Sequence, residues 1–279
     1  MKPRLSFLAA YFFFWVFLFI LGRVFFLWIT YRVGEVAGFN ECWGVFRHGL
    51  LMDISTATYF TVPVLILMLA GTWIPILNRR LPFVVYSILL LIPVLLLYVS
   101  DGYSYNAWGH HLEAGVLRYL QNPKEAWASV SNLPVGWIFL GVIITILLII
   151  ILTVRGIRRF IPFPPANRWW VSLMIVLLAG LAIIPMRGGV QLAPINQSSV
   201  YFSENNYANQ SAINPVWNFI HSVKLERKSE VNPFVFMDMA KAKELISPLL
   251  LKQDQLLTDS VKRKNVILVV WESFTEKVL

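Results

Sequence analysis

The chain has 279 residues, 57% of them hydrophobic and 14% charged, with a formal net charge of +9. An average soluble domain carries roughly 25% charged residues, so this composition excludes an ordinary water-soluble domain, a disordered chain and a fibrous repeat. The single cysteine, Cys42, excludes an internal disulfide and a cysteine-based zinc site.

A helix needs about 20 mainly apolar residues to cross a hydrocarbon core of about 30 Å. Five stretches meet that requirement, at about residues 5–30, 50–77, 81–100, 133–154 and 169–186. The first is too long, and too poor in small residues at its end, for a cleaved signal peptide. Residues 1–186 therefore read as a domain of five transmembrane helices.

Orientation follows from the basic residues of the short connections. Lys2, Arg4, Arg79, Arg80, Arg155, Arg158, Arg159 and Arg168 all fall on one side, with no acidic residue among them. The loops of the other side mix Arg32, Arg47, Arg118 and Lys124 with Glu35, Glu41, Asp101, Glu113 and Glu125. This asymmetry predicts a cytoplasmic amino terminus and an extracytoplasmic location for everything after about residue 187. It also accounts for the positive charge: residues 1–186 carry a net +7 and residues 187–279 only +2. A nucleic-acid surface is not indicated.

The outer loop 101–132 has an apolar helical stripe, Leu112, Val116, Leu117 and Leu120, with Trp108 and Trp127 nearby, as expected of a segment lying in the membrane interface. Asp53 lies three residues inside the second span. It is expected to pair with Arg47 or His48 at the outer surface, or to join them in contacting a lipid headgroup. Arg23, in the first span, is expected to snorkel outward along its long stem. His110 and His111 would point about 100° apart on a helix and read as interfacial polar residues rather than a metal pair.

After Met186 the sequence turns rich in Asn, Ser, Gly and Pro. Residues 187–263 read as an extracytoplasmic linker with short helices, one at about 214–223 and another at 238–251, interrupted or ended near Pro248. Asn196 and Asn209 each open an Asn-x-Ser pattern, a chance match in so Asn-rich a stretch. Residues 264–279 change character again. A basic run, Lys262 to Lys264, leads into Val266 to Val270, five apolar and mostly β-branched residues suited to a central parallel strand. Glu272 follows the strand, where open α/β sheets bind their ligands.

The run NVILVVWESF (265–274) resembles the opening strand of the lipoteichoic acid synthase-like branch of the alkaline phosphatase/sulfatase superfamily. Three more stretches are similar to that branch: HGLLMDIST (48–56), LRYLQNPKEAWASV (117–130) and RGGVQLAPINQSSVYFS (187–203). The resemblance covers essentially the whole chain but only the amino-terminal half of a complete member. It implies an α-helical membrane protein with five transmembrane helices, an extracytoplasmic helical linker, and the first strand of a truncated α/β sulfatase-like domain. It further implies that Glu272 is a ligand of a divalent metal, usually Mn2+. In the family, that metal and a threonine nucleophile take phosphoglycerol from a phospholipid donor such as phosphatidylglycerol and pass it to a glycan or glycolipid acceptor, in a bacterial plasma membrane. The nucleophile and the remaining metal ligands are expected beyond Leu279, so the 279 residues by themselves are expected to be inactive. Two alternatives remain. One is a phosphoethanolamine transferase, although Trp271 and Ser273 replace the Gly and Thr of that group's usual turn. The other is a non-catalytic membrane scaffold.

Overall fold

The structure, a computed structural model, describes residues 2–121, 124, 135–164, 167–228 and 237–254. Among these, five helical spans are long and apolar enough to cross a membrane. They are α1 (Lys2–Ile29), α2 (Gly38–Trp73), α3 (Arg80–Trp108), α4 (Val135–Phe160), and α5 (Arg168–Leu181) running into α6 (Ile183–Met186). The architecture is that of a multi-pass helical membrane protein.

The helices overrun the apolar windows read from the sequence. α2 starts at Gly38 rather than about residue 50; its 36 residues extend about 54 Å, well beyond a hydrocarbon core of about 30 Å. The extra turns, Gly38 to Gly49, are too polar for a hydropathy window, but nothing in them breaks a helix. α3 likewise continues through Asp101 to Trp108 and stops at Gly109, whose φ of 72° forms the left-handed cap and lets its N–H donate to Tyr105 O at 2.9 Å. Asp101 is therefore the last-but-one turn of a span, not the start of a loop.

Lipid tails are as apolar as leucine, so the spans are joined by close packing rather than by escape from water. α1 presents Phe7, Tyr11, Trp15 and Phe19, spaced four apart on one face, to Phe60, Val64 and Met68 of α2 and to Phe83, Leu91 and Tyr98 of α3. Trp15 meets Phe60 edge-on at 4.8 Å between ring centres, and Phe7 meets Phe83 at 5.7 Å and 85°. α4 buries Thr153 and Ile157 and packs Ile149, Ile150 and Phe160 against the same core, while residues such as Leu147, Leu148 and Leu152 face outward.

The two ends of this bundle are built differently. At one end the 161–164 connection receives Asn78 Nδ2 on Phe163 O (3.0 Å), Arg80 Nε on Ile161 O (2.9 Å) and Arg4 Nη1 on Pro164 O (3.2 Å). The start of α1, the α2–α3 turn and the α4–α5 connection thus meet there, and with them Arg4, Arg79 and Arg80. At the other end lie the α1–α2 connection, the end of α3 and residues 187–228.

That last stretch carries short helices, as expected, and is docked on the spans. It contains a 3-10 turn (Gln197–Val200), α7 (Asn206–Ala212) and α8 (Pro215–Lys228), and it packs with the spans as one unit, residues 1–228. Met52 of α2, Ile195, Val200, Ala212, Ile213 and Trp217 make a second apolar core, separate from that between the spans. Residues 229–279 form the other unit. Its described part is α9 (Met239–Asp254), which carries Pro248 inside the helix and continues past it. The expected strand 266–270 lies outside the described residues.

Candidate functional site

The site grows from two charges placed inside neighbouring spans. Arg23, six residues before the end of α1, and Asp53 of α2 are 3% and 0% exposed. The guanidinium grips the carboxylate with both arms, Nη1 to Oδ2 at 2.5 Å and Nη2 to Oδ1 at 3.0 Å. Its other donors leave the membrane domain: Nε donates to Ser211 O at 3.2 Å and Nη2 to Ala212 O at 3.1 Å. Those carbonyls belong to the last turn of α7, the negative end of a helix and a natural seat for a cation.

Asn214 completes the set from between α7 and α8. Its Nδ2 donates to Asp53 Oδ1 at 2.8 Å, while its Oδ1 accepts the N–H groups of Val216 (2.9 Å) and Trp217 (3.0 Å) and so caps α8. One residue thus ties the start of a helix to a carboxylate in a span. Gly49 makes the approach feasible: a Cβ there would lie 2.4 Å from Arg23 Nη2 and 2.6 Å from Ala212 O.

A second buried pair holds the same segment from α3. Asp101 (0% exposed) accepts from His111 Nδ1 at 2.9 Å and from the Leu112 N–H at 2.7 Å. His111 Nε2 reaches Gln210 O in α7 at 2.9 Å. Burial alone would lower the His111 pKa. Asp101, as a neighbouring charge and as a hydrogen-bond partner, outweighs that with help from the Gln210 carbonyl and Glu113, and the pKa stands above its ordinary value.

Smaller contacts extend the seam. Ser203 Oγ donates to Glu41 Oε1 at 2.5 Å, Asn205 Nδ2 to Glu35 O at 2.8 Å, and Ser55 Oγ to Met186 O at 2.7 Å; Thr30 Oγ1 and the Tyr207 hydroxyl share a bond of 2.8 Å. The His48 ring stacks on Phe202 at 4.7 Å and 3°. Together these contacts fasten residues 186–217 across the ends of the spans like a strap.

The candidate residues fall differently from expectation. Asp53 pairs with Arg23, not with Arg47 or His48, because α2 carries those two away on its outer turns. Arg47 is exposed, and His48 bonds back to Gly44 O at 3.0 Å. The Asp53 carboxylate is buried and accepts three hydrogen bonds, two from Arg23 and one from Asn214. Arg23 does not snorkel, since its partner lies beside it. His110 and His111 follow the end of α3 instead of lying on a helix, and His111 is buried within the protein. Leu112 is buried in the protein and Leu117 is 43% exposed.

Sequence reasoning missed the Arg23–Asp53 partnership, although the signal was present. Two opposite charges at similar depth in consecutive antiparallel spans are each other's natural partners, since intramembrane ionisable residues pair with one another. Among the described residues no group of three or more His, Cys, Asp or Glu is placed to hold a metal ion, and Glu272 lies outside them. Comparisons of the chain with protein-family models, curated proteins and solved structures returned no match.

Proposed function

We propose that the chain is the membrane and tether portion of a metal-dependent transferase that moves phosphoglycerol from a phospholipid such as phosphatidylglycerol to an extracytoplasmic glycan or glycolipid acceptor. One observation carries this reading. Residues 48–56 and 187–203, two of the stretches similar to the lipoteichoic acid synthase-like branch, meet each other in the structure: Met52 packs with Ile195 and Val200, and His48 stacks on Phe202. Stretches 130 residues apart in sequence resemble the same branch and share one packed seam.

The seam gives such an enzyme what it needs from a membrane anchor. A domain that follows residue 228 is tethered from a strap fixed to the spans by buried polar bonds. A phospholipid headgroup at the same end of the bundle is then within a bounded reach, and held reactants react faster than free ones. The basic residues gathered at the opposite end support a cytoplasmic placement of that end. The one metal ligand this reading names is Glu272.

In the protein as its gene encodes it, Glu272→Ala is expected to abolish transfer of labelled glycerol phosphate from phosphatidylglycerol in membranes while leaving the amount of protein unchanged. Full transfer by Glu272→Ala would sink the reading. Label moving from phosphatidylethanolamine instead would favour the related phosphoethanolamine transferase.

A further inference from the structure

We propose that His111 is a proton-operated latch between the membrane spans and the strap, closed while its ring is an imidazolium and released from α7 when the ring loses a proton. The inference does not depend on which reaction the chain serves.

The geometry specifies the charged ring. Both nitrogens of His111 face oxygens that can only accept: the Asp101 carboxylate at Nδ1 and the Gln210 carbonyl at Nε2, each 2.9 Å away. A neutral imidazole has a single N–H and cannot serve both; an imidazolium has two. On deprotonation the remaining proton stays at Nδ1, facing the carboxylate, the stronger acceptor. The Nε2 lone pair is then turned against the lone pairs of Gln210 O. Asp101 still holds the Leu112 N–H at 2.7 Å, so the 111–114 segment stays on α3. The bond that is lost is the one to α7.

The surroundings leave this proton in control. Besides Asp101, α3 contributes Tyr105, whose ring lies 5.3 Å from His111. α1 contributes Phe26, stacked on the ring at 5.1 Å. The strap contributes Gln210, whose side chain donates to the Tyr201 hydroxyl at 3.2 Å, and Tyr207, 6.2 Å from Tyr105. The connection after α3 contributes Glu113, which also favours the cation, and His110, whose Nδ1 lies 3.0 Å from the His111 carbonyl oxygen. Asp101 is the carboxylate that balances the His111 charge.

The direction of the pH response follows. The folded protein holds the His111 proton more tightly than an unfolded chain does. The latch therefore contributes its full stabilisation below the ordinary histidine pKa of about 6.5 and loses it as pH rises through the higher folded value. The strap is bound below the folded midpoint of His111 and loosens as pH rises through it.

Two measurements on the full chain in lipid nanodiscs test this. Exchange of the histidine C2 hydrogen, followed by mass spectrometry from pH 5 to 10, reports each ring's titration. His111 is expected to titrate at a midpoint above about 6.5. Amide exchange of residues 206–214, corrected for its intrinsic pH dependence, is expected to speed up by about tenfold or more across that same midpoint. In His111→Gln that step should vanish. A His111 midpoint at or below the ordinary value overturns the proposal. So does strap protection that stays constant through the midpoint, or a step that persists in His111→Gln. The wild-type titration is decisive even if the variant does not fold.

Discussion

Replacing Asp53 by alanine is expected to cost about 3–5 kcal/mol of stability, because it strands the Arg23 guanidinium in a buried site. The charge would keep two helix-end carbonyls for company, at 3.1 and 3.2 Å, but no counter-ion. Asn214 would lose its acceptor as well, leaving Nδ2 unpaired in a residue that is 0% exposed. Thermal unfolding of the purified protein in detergent, followed by tryptophan fluorescence, should show the transition about 10 °C lower, taking roughly 2–4 °C per kcal/mol for a unit of this size. The double replacement Arg23→Met with Asp53→Leu should recover much of that loss, since well-packed apolar side chains substitute for a buried pair with little penalty. It should still weaken the hold on the strap, because Ser211 O, Ala212 O and Asn214 lose their partners. Stability and strap attachment are thereby separated: an unshifted transition in Asp53→Ala would show that the pair is not buried as described.

A second large effect is expected at Gly49. A Cβ there meets Arg23 Nη2 at 2.4 Å, Arg23 Cζ at 2.5 Å and the backbone oxygen of Ala212 at 2.6 Å. The guanidinium is held by four hydrogen bonds and the carbonyl is part of α7, so neither neighbour yields cheaply. Gly49→Val should destabilise by about 3 kcal/mol through overpacking, and Gly49→Ala should also destabilise despite a gain in helix propensity of about 1 kcal/mol. Gly141 is the control, because nothing lies within 4 Å of a Cβ built on it. Gly141→Ala should be neutral or slightly stabilising in the same assay. Equal responses at the two glycines would contradict the close approach of strap and α2.

Much of the membrane domain could be read from composition alone. Apolar windows located all five spans, and the basic residues they separate do gather at one end of the bundle. What the windows missed was polar helix. Gly38 to Gly49 and Asp101 to Trp108 are helical extensions whose backbone bonds need no apolar side chains, and in both the polar residues serve the seam with the strap. Residues 187–228 carry short helices, as the sequence suggests, but their docking was not legible. Their Asn and Ser content reads as a linker, yet these side chains satisfy backbone groups. Asn196 accepts from Ser199 N at 3.1 Å, Asn205 from Tyr207 N at 3.0 Å, Asn209 from Phe202 N at 2.8 Å, and Asn214 caps α8. Asn209, one of the two glycosylation-pattern residues, is buried by this role. No local pattern reveals that such turns dock on spans 99 to 189 residues earlier; only the unpaired look of Arg23, Asp53 and Asp101 in sequence hints that partners must arrive from elsewhere. The strand at 266–270 and Glu272 remain sequence readings, outside the described residues.

The central claim is that residues 186–217 are fastened to the spans rather than hanging from them, and cysteine labelling in intact membranes tests it most directly. With Cys42 replaced by serine, Ser211→Cys introduces a thiol where the native side chain is 1% exposed, and Leu192→Cys one where it is 98% exposed. A membrane-impermeant maleimide should label Leu192→Cys rapidly and leave Ser211→Cys unreacted until the protein is unfolded. Equal labelling of the two would mean that the strap is not docked.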